Sequence, residues 1–356
     1  VSELIDLDDL SEIERIDASG MLAIVENMPQ QFRDAIDIGT SSLDLPDSSG
    51  VDNIVFLGMG GSGIAGDIVS NFPEVQIPVP AISVKGYNLP EFARSNTLVF
   101  AISYSGNTEE TIFCFEEAIK RNCRIVAITS GGKLERLAND KGVPLYKIPS
   151  GLQPRAALGY LFIPVMSALE RLGICNNVIG KIEGSISMLE ERSKEYGRGN
   201  PASENPAKRI AKALSGYLPV IYGSEGALMP VALRWKCQFN ENSKVPAFCN
   251  YFPELNHNET VGWYCLEEVW SRSHIIVLRD KDEHPRVSKR IQITSDLISN
   301  HTGHITQVFS RGANKVERFL DLLYLGDLSS VYLALHLGVD PTPVSRIDEL
   351  KKRLGS

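Results

Sequence analysis

The chain has 356 residues, 43% of them hydrophobic and 22% charged, ordinary for a soluble globular protein with one large or two medium domains. Its net charge of −8 argues against nucleic acid or an anionic membrane surface as principal partner, and an anionic ligand would need local donors against that field. No apolar run approaches the roughly 20 residues of a membrane span, and the acidic start lacks the basic leader of a signal peptide.

Residues 1–45 read as acidic helices with Leu22, Ile24, Val25 and Met28 facing inward. A strand at 51–57 then runs into Gly58-Met-Gly-Gly-Ser-Gly63, and helical spacing resumes over 64–71. Strands follow at 78–84 and 98–102, a helix at 108–121, a strand at 124–129 with Gly131-Gly132 as its turn, a helix at 134–140 and a strand at 145–148. Strands alternating with helices at this spacing predict a parallel sheet covered on both faces.

Helical stretches at 156–172 and 178–196 come next, and Gly197-Arg-Gly-Asn-Pro201 with Glu204-Asn-Pro206 suggests a linker. Beyond it, Pro219-Val-Ile-Tyr-Gly-Ser-Glu-Gly226 repeats the grammar of the first strand and glycine turn, followed by a helix over 229–240. Strands at 247–250, 274–278 and 304–308, a long helix at 319–337 and a short one at 347–354 complete the chain. The second half thus reads as a degenerate copy of the first. Two such α/β sheets would take ligands at their strand C-termini, in a cleft between the halves.

Ser103-Tyr-Ser-Gly-Asn-Thr108 carries the strongest chemical signal. A buried strand ending in small hydroxyl residues at a helix start offers free N–H groups, a favourable dipole and neutral donors to a phosphate. The loop has no lysine and lacks both the nucleotide P-loop and the dinucleotide glycine patterns, so a phosphate ester on a small molecule is the expected ligand. A serine-rich turn that only caps its helix is the plainer alternative, but capping needs fewer hydroxyls.

Glu241 closes an amphipathic helix, at the dipole end that disfavours a carboxylate charge and so suits it to a base's work. A merely solvated glutamate would sit in the same place. His257 lies in a polar turn between two asparagines and two glutamates, where an imidazole can shuttle protons; a surface histidine would look alike. No second histidine or cysteine stands at ligand spacing from it, so zinc is not expected. Arg155, between a strand and a helix, could stabilise an anion formed during reaction or could be a surface residue. Lys351 and Lys352 read plainly as charge complementing the last helix dipole. Cys114, Cys123, Cys175, Cys237, Cys249 and Cys265 show no paired spacing; they read as reduced, buried small side chains, which points to the cytoplasm.

Taken together, Gly58–Gly63 and Ser103–Thr108 resemble the two phosphosugar-binding turns of sugar isomerase (SIS) domains. Phe239-Asn-Glu-Asn-Ser-Lys-Val-Pro246, Glu254-Leu-Asn-His-Asn-Glu259 and the Thr342-Pro-Val…Ile347-Asp-Glu-Leu-Lys351 tail are similar to the bifunctional phosphoglucose/phosphomannose isomerases, over nearly the whole chain. The resemblance implies two SIS domains, each an αβα sandwich: 46–155 after an N-terminal helical segment of 1–45, and 206–338 after a helical connection of 156–205, with 339–356 a tail helix reaching the active site. It implies Ser62, Ser103 and Thr108, with Gly61 and Ser105 of the same turns, as phosphate ligands. Glu241 would move the proton between C1 and C2. His257 would open the ring from the partner subunit of a homodimer, Arg155 would stabilise the enediolate, and a tail lysine, Lys351 by register, would stand near the opened ring. The activity implied is reversible isomerisation of glucose 6-phosphate and mannose 6-phosphate to fructose 6-phosphate, which requires no metal and no redox cofactor. Two other readings stay open. An amino-sugar isomerase would handle ammonia, sometimes with a glutaminase domain for which this chain offers no segment. A phosphosugar-binding regulator without catalysis often carries a DNA-binding segment, against which the acidic N-terminus and the Glu241–His257 pair both argue.

Overall fold

The computed structural model describes residues 4–355, in which nine strands form two parallel sheets. The first comprises β1 (Asn53–Leu57), β2 (Ala81–Val84), β3 (Thr97–Ile102), β4 (Arg124–Thr129) and β5 (Leu145–Lys147), in the order β2-β1-β3-β4-β5. β3 is buried along its whole length, which is why it reads as an unbroken apolar run rather than an alternating one. On one face Val55, Leu57, Val99, Ala101 and Ile125 pack against Phe115 of the helix Glu109–Lys120. On the other, Phe56 and Phe100 stack with ring centroids 5.6 Å apart.

The second sheet comprises β6 (Leu218–Ser224), β7 (Phe248–Phe252), β8 (Ser273–Arg279) and β9 (His304–Phe309), in the order β7-β6-β8-β9. That is the order of the first sheet without its last strand, so the second half is the shortened copy that the repeated strand-and-glycine grammar predicts. The chain divides into two compact units. Residues up to Glu26 join Met188–Lys352 around the second sheet, and Asn27–Ser187, with the chain's end from Arg353, surrounds the first.

Two helices of the second unit depart from expectation. Pro206–Leu214 begins at a proline where punctuation was expected, and Pro285–Ile298, which the sequence reading did not foresee, also begins at a proline. The prolines occupy the first helical position, where no N–H is needed, and the preceding Asn205 and His284 accept from first-turn N–H groups as caps. Asn205 is fully buried, and Lys208 beside it donates to the Arg198 carbonyl at 3.0 Å and to Asp8 at 2.9 Å, so 197–206 is folded tightly into its unit. Ile24 is half-buried rather than core, because the chain breaks at Asn27 and restarts as the helix Met28–Thr40. No disulfide joins the cysteines; Cys114 and Cys175 are buried, but Cys265 is exposed. Among the described residues no helix is long and apolar enough to cross a membrane.

Candidate active site

In the first sheet the chain order reverses between β1 and β3, whose C-terminal ends lie side by side through the pairs Phe56–Phe100 and Leu57–Ala101. Such a switch point opens a crevice beyond the strand ends. The Gly58–Gly63 and Ser103–Thr108 turns leave from these two strands. Ser62 Oγ accepts the Tyr104 N–H at 3.1 Å, fastening one turn to the other. The Ser103 and Thr108 hydroxyls lie 2.9 Å apart. Because Thr108 spends its hydroxyl there, the helix Glu109–Lys120 has no side-chain cap; the helix Gly60–Ser70, preceded by Met59, has none either. Two helix N-termini with uncapped N–H groups therefore flank the crevice, an arrangement suited to an anion.

Close backbone packing holds the turns. A Cβ on Gly61 would meet the backbone of Pro154 and Arg155 at 2.8 Å, so glycine there lets the Pro154–Ala156 turn approach. Gly106 has φ +66° and its Cβ would fall 1.7 Å from the Gly131 carbonyl oxygen. The Leu134 N–H donates to Gly106 O at 2.8 Å, and the Lys133 N–H to Asn107 Oδ1 at 3.0 Å. The turn after β4 thus braces the turn after β3. Tyr104 accepts the Leu152 N–H at 2.8 Å and donates to the Pro149 carbonyl at 2.9 Å, tying the loop before Arg155 to the same site. Arg155 is not a surface residue: it is 3% exposed, and Gln31 pins the residues after it by donating to Ala156 O at 2.8 Å. This unit gathers Gly61, Ser62, Ser103, Ser105, Thr108 and Arg155 on neighbouring turns, with Ser105 exposed.

The second unit departs from the expected ligand edge. Beyond the C-terminal end of β8 stand internal ion pairs: Arg318 reaches Asp280 at 2.8 Å and Asp282 at 2.6 Å, and Arg279 holds Glu283. Glu241 stands at the opposite, N-terminal edge of the sheet. It lies in a wide π-helical turn, Phe239–Ser243, that prolongs the helix Leu228–Gln238; such turns re-aim side chains and recur at functional sites. That helix is fixed against the helix Lys315–His336 by the buried Arg234–Asp327 pair at 2.6 Å and by the Trp235 indole, which donates to Leu322 O at 2.8 Å. Asn242 donates to Ser330 Oγ at 2.9 Å and Ser243 to Ser330 O at 2.6 Å, so half-buried Glu241 is held by buried neighbours.

His257 follows the other end of β7, exposed at the close of the turn Glu254–His257. Its flanking carboxylates do not face its ring. Glu254 accepts from Asn258 at 3.0 Å, and Glu259 accepts from Tyr222 and Asn250. Asn240 Oδ1 accepts the Ala247 N–H at 3.2 Å, which seats the Glu241 turn at the start of β7. The five residues of β7 therefore separate Glu241 from His257, a rise of about 16 Å. Within one chain these two side chains belong to opposite edges of the sheet. Lys351 and Lys352 are exposed on the helix Ser345–Leu354.

Two lysines escaped the sequence reading. Lys85 follows β2, which pairs with β1 through Leu57–Val84; it lies beside the Gly58–Gly63 turn, hydrogen-bonded to Asp67. Lys244, in the left-handed conformation, donates to the Pro341 carbonyl at 2.9 Å and to Glu241 O, joining the Glu241 turn to the start of the tail. The place of Lys85 depends on the β1–β2 pairing and the tie of Lys244 to Pro341 on the distant tail, neither of which local pattern encodes. Among the described residues no three His, Cys, Asp or Glu side chains are gathered as metal ligands.

Two doubly wound parallel sheets, with hydroxyl-rich turns at the switch point of the first, define an α/β protein of the SIS phosphosugar isomerase class. Residues 203–354 match the family model described as the bacterial phospho-glucose isomerase C-terminal SIS domain. A bifunctional phosphoglucose/phosphomannose isomerase of Caldicellulosiruptor bescii is 41% identical over 334 residues, covering 94% of this chain and 98% of that protein. One of Thermoplasma acidophilum is 40% identical over 302 residues, covering 85% and 89%. The crystal structure of a glucose-6-phosphate isomerase like protein from Thermus thermophilus superposes with a TM-score of 0.65 at 17% identity, over 98% of this chain and 99% of that one, a likeness of fold. The chain belongs to the bifunctional phosphoglucose/phosphomannose isomerase family.

Proposed function

We propose that this protein is a cytoplasmic aldose–ketose isomerase that converts glucose 6-phosphate and mannose 6-phosphate reversibly to fructose 6-phosphate. The observation that carries this reading is the family membership, joined to the paired uncapped helix N-termini and hydroxyls beyond β1 and β3. We assign the sugar-phosphate domain to 46–155, the second SIS domain to 206–338 and a tail to 339–356, with 1–45 and 156–205 as helical segments around them.

In this mechanism Gly61, Ser62, Ser103, Ser105 and Thr108 hold the phosphate, a remote anchor whose binding energy fixes the reacting carbons in place. His257 opens the ring. The Glu241 carboxylate removes the C2 proton of the open aldose and the electron pair moves into a C1–C2 enediolate; the hydroxyl proton passes from O2 to O1, and the carbon-bound proton returns from Glu241 to C1 as the ketone forms at C2. Acid–base groups of this kind contribute about 10²–10⁴-fold. Arg155 and nearby dipoles stabilise the enediolate charge. Lys351 serves near the opened ring. Glucose and mannose 6-phosphates share one enediol, so a site that admits reprotonation on either face accepts both.

We further propose a homodimer in which His257 completes the partner's site. Its support is the separation of Glu241 from His257 along β7, and the exposed apolar side chains of Val261, Tyr264, Leu266 and Val269 just beyond the histidine, which suit a subunit contact. Purified, EDTA-treated protein assayed by coupled oxidation should form fructose 6-phosphate from both aldoses. Turnover of neither, with fructose 6-phosphate binding intact, would assign the chain to phosphosugar sensing instead.

A further inference from the structure

Beside the His257 turn lies a cavity of about 430 Å³, between residues 256–260 and the helix Pro285–Ile298. Arg286, Lys289 and Arg290 line it together, because residues three and four apart share a helix flank. Across from them stand Asn256, Thr260 and Thr294. The Asn256 amide donates to Thr294 Oγ1 at 2.7 Å and to Thr260 Oγ1 at 3.3 Å, and its oxygen accepts from Arg290 Nη1 at 3.5 Å. This network holds Arg290 against a polar wall, with Arg286 and Lys289 exposed beside it.

Among the described residues no carboxylate stands at ion-pair distance from any of the three cations, and the acids just before the helix are engaged elsewhere, Asp282 by Arg318 and Glu283 by Arg279. The cations also fall in the first two turns of the helix, where its dipole opposes positive charge. In a chain of net charge −8, Arg286, Lys289 and Arg290 thus face one solvent-open groove with no carboxylate beside them, a local field that attracts an anion. Two guanidinium forks one turn apart, with an ammonium between them, suit adjacent phosphoryl groups, which accept several charge-assisted hydrogen bonds at once. Ile293 and Leu297 continue the cavity with an apolar wall.

We propose that this cavity binds a small molecule bearing a di- or triphosphate group, with the attached apolar moiety against Ile293 and Leu297. The site is separate from the phosphate turns after β1 and β3, and its existence does not rest on the isomerase reading. Through Asn256 it touches the residue next to His257, so occupancy orders the turn that presents the histidine.

Hydrogen–deuterium exchange of the full chain with and without inorganic diphosphate tests this. The expected result is slowed exchange over 254–262 and 285–298. In calorimetry, Arg286→Gln/Lys289→Gln should weaken diphosphate binding by about tenfold or more, whereas Arg286→Lys/Lys289→Arg should retain most of it. Arg286 and Lys289 are exposed, so neither exchange disturbs the core. Protection confined to 58–63 and 103–108, or an affinity unchanged in the glutamine variant, would overturn the proposal.

Discussion

The hydroxyls of Ser103 and Thr108 lie 2.9 Å apart across the turn that leaves β3, one fully buried and the other at the threshold of a helix. Each orients the other, and neither caps the helix. Ser103→Ala removes one donor and frees Thr108 to turn away. Steady-state kinetics on this variant should show KM for the sugar phosphates raised by about tenfold or more with a smaller change in kcat, as expected when binding rather than chemistry is lost. An unchanged KM would detach the turn from phosphate binding.

Gly106 tests the bracing of that turn. Alanine there would need a left-handed backbone and would place a methyl group 1.7 Å from the Gly131 carbonyl oxygen. Gly106→Ala should destabilise the protein by about 3 kcal/mol or more, read as a lowered denaturant midpoint. Gly142→Ala, at a helix end with open space around it, should cost much less.

His274 should make stability pH-dependent. Burial holds its imidazole below the ordinary value, and nearby His304 acts in the same direction. Its Nδ1 meets the Ala213 carbonyl at 3.1 Å and its Nε2 meets Thr306 Oγ1 at 2.7 Å. With the folded-state pKa depressed, the unfolded chain takes up this proton first as pH falls, so the contribution is present above the unfolded value and is lost below it. Thermal unfolding should show the wild type losing stability as pH falls below about 6.5, and His274→Gln losing less over the same range. Parallel profiles would remove His274 as the source.

The separation of Glu241 and His257 by β7 leads to a subunit-mixing experiment. Glu241→Gln and His257→Asn homodimers should each be inactive. If His257 completes the partner's site, a mixed dimer carries one wild-type site and one doubly altered site. Random exchange of equal amounts should then restore roughly a quarter of wild-type activity. No recovery, with mixed dimers demonstrated by mass spectrometry, would place both residues in the same subunit's site.

Much of this was legible in advance, for physical reasons that differ by element. β1 and β3 are buried on both faces, so they stand out as apolar runs, and their turns carry the hydroxyls and glycines that phosphate binding requires. The second sheet was legible through the repeated turn after Tyr222. The helices Pro206–Leu214 and Pro285–Ile298 were not, because Asn-Pro and His-Pro serve equally as loop punctuation and as helix starts. The contact of Gly106 with Gly131, the burial of Arg155 and the ties of Lys244 are set by tertiary packing between distant segments, which local pattern does not encode. The position of Glu241 at the far edge of its sheet followed from the strand between it and His257, once that strand was placed.

The proton transfer assigned to Glu241 is tested most directly by the steady-state kinetics of Glu241→Gln on glucose 6-phosphate and on mannose 6-phosphate. Glutamine keeps the shape and cannot take the proton. The account predicts kcat lowered by about 10³-fold or more on both substrates, with KM within a few-fold of wild type. A variant that retained kcat within about tenfold on either substrate would contradict it.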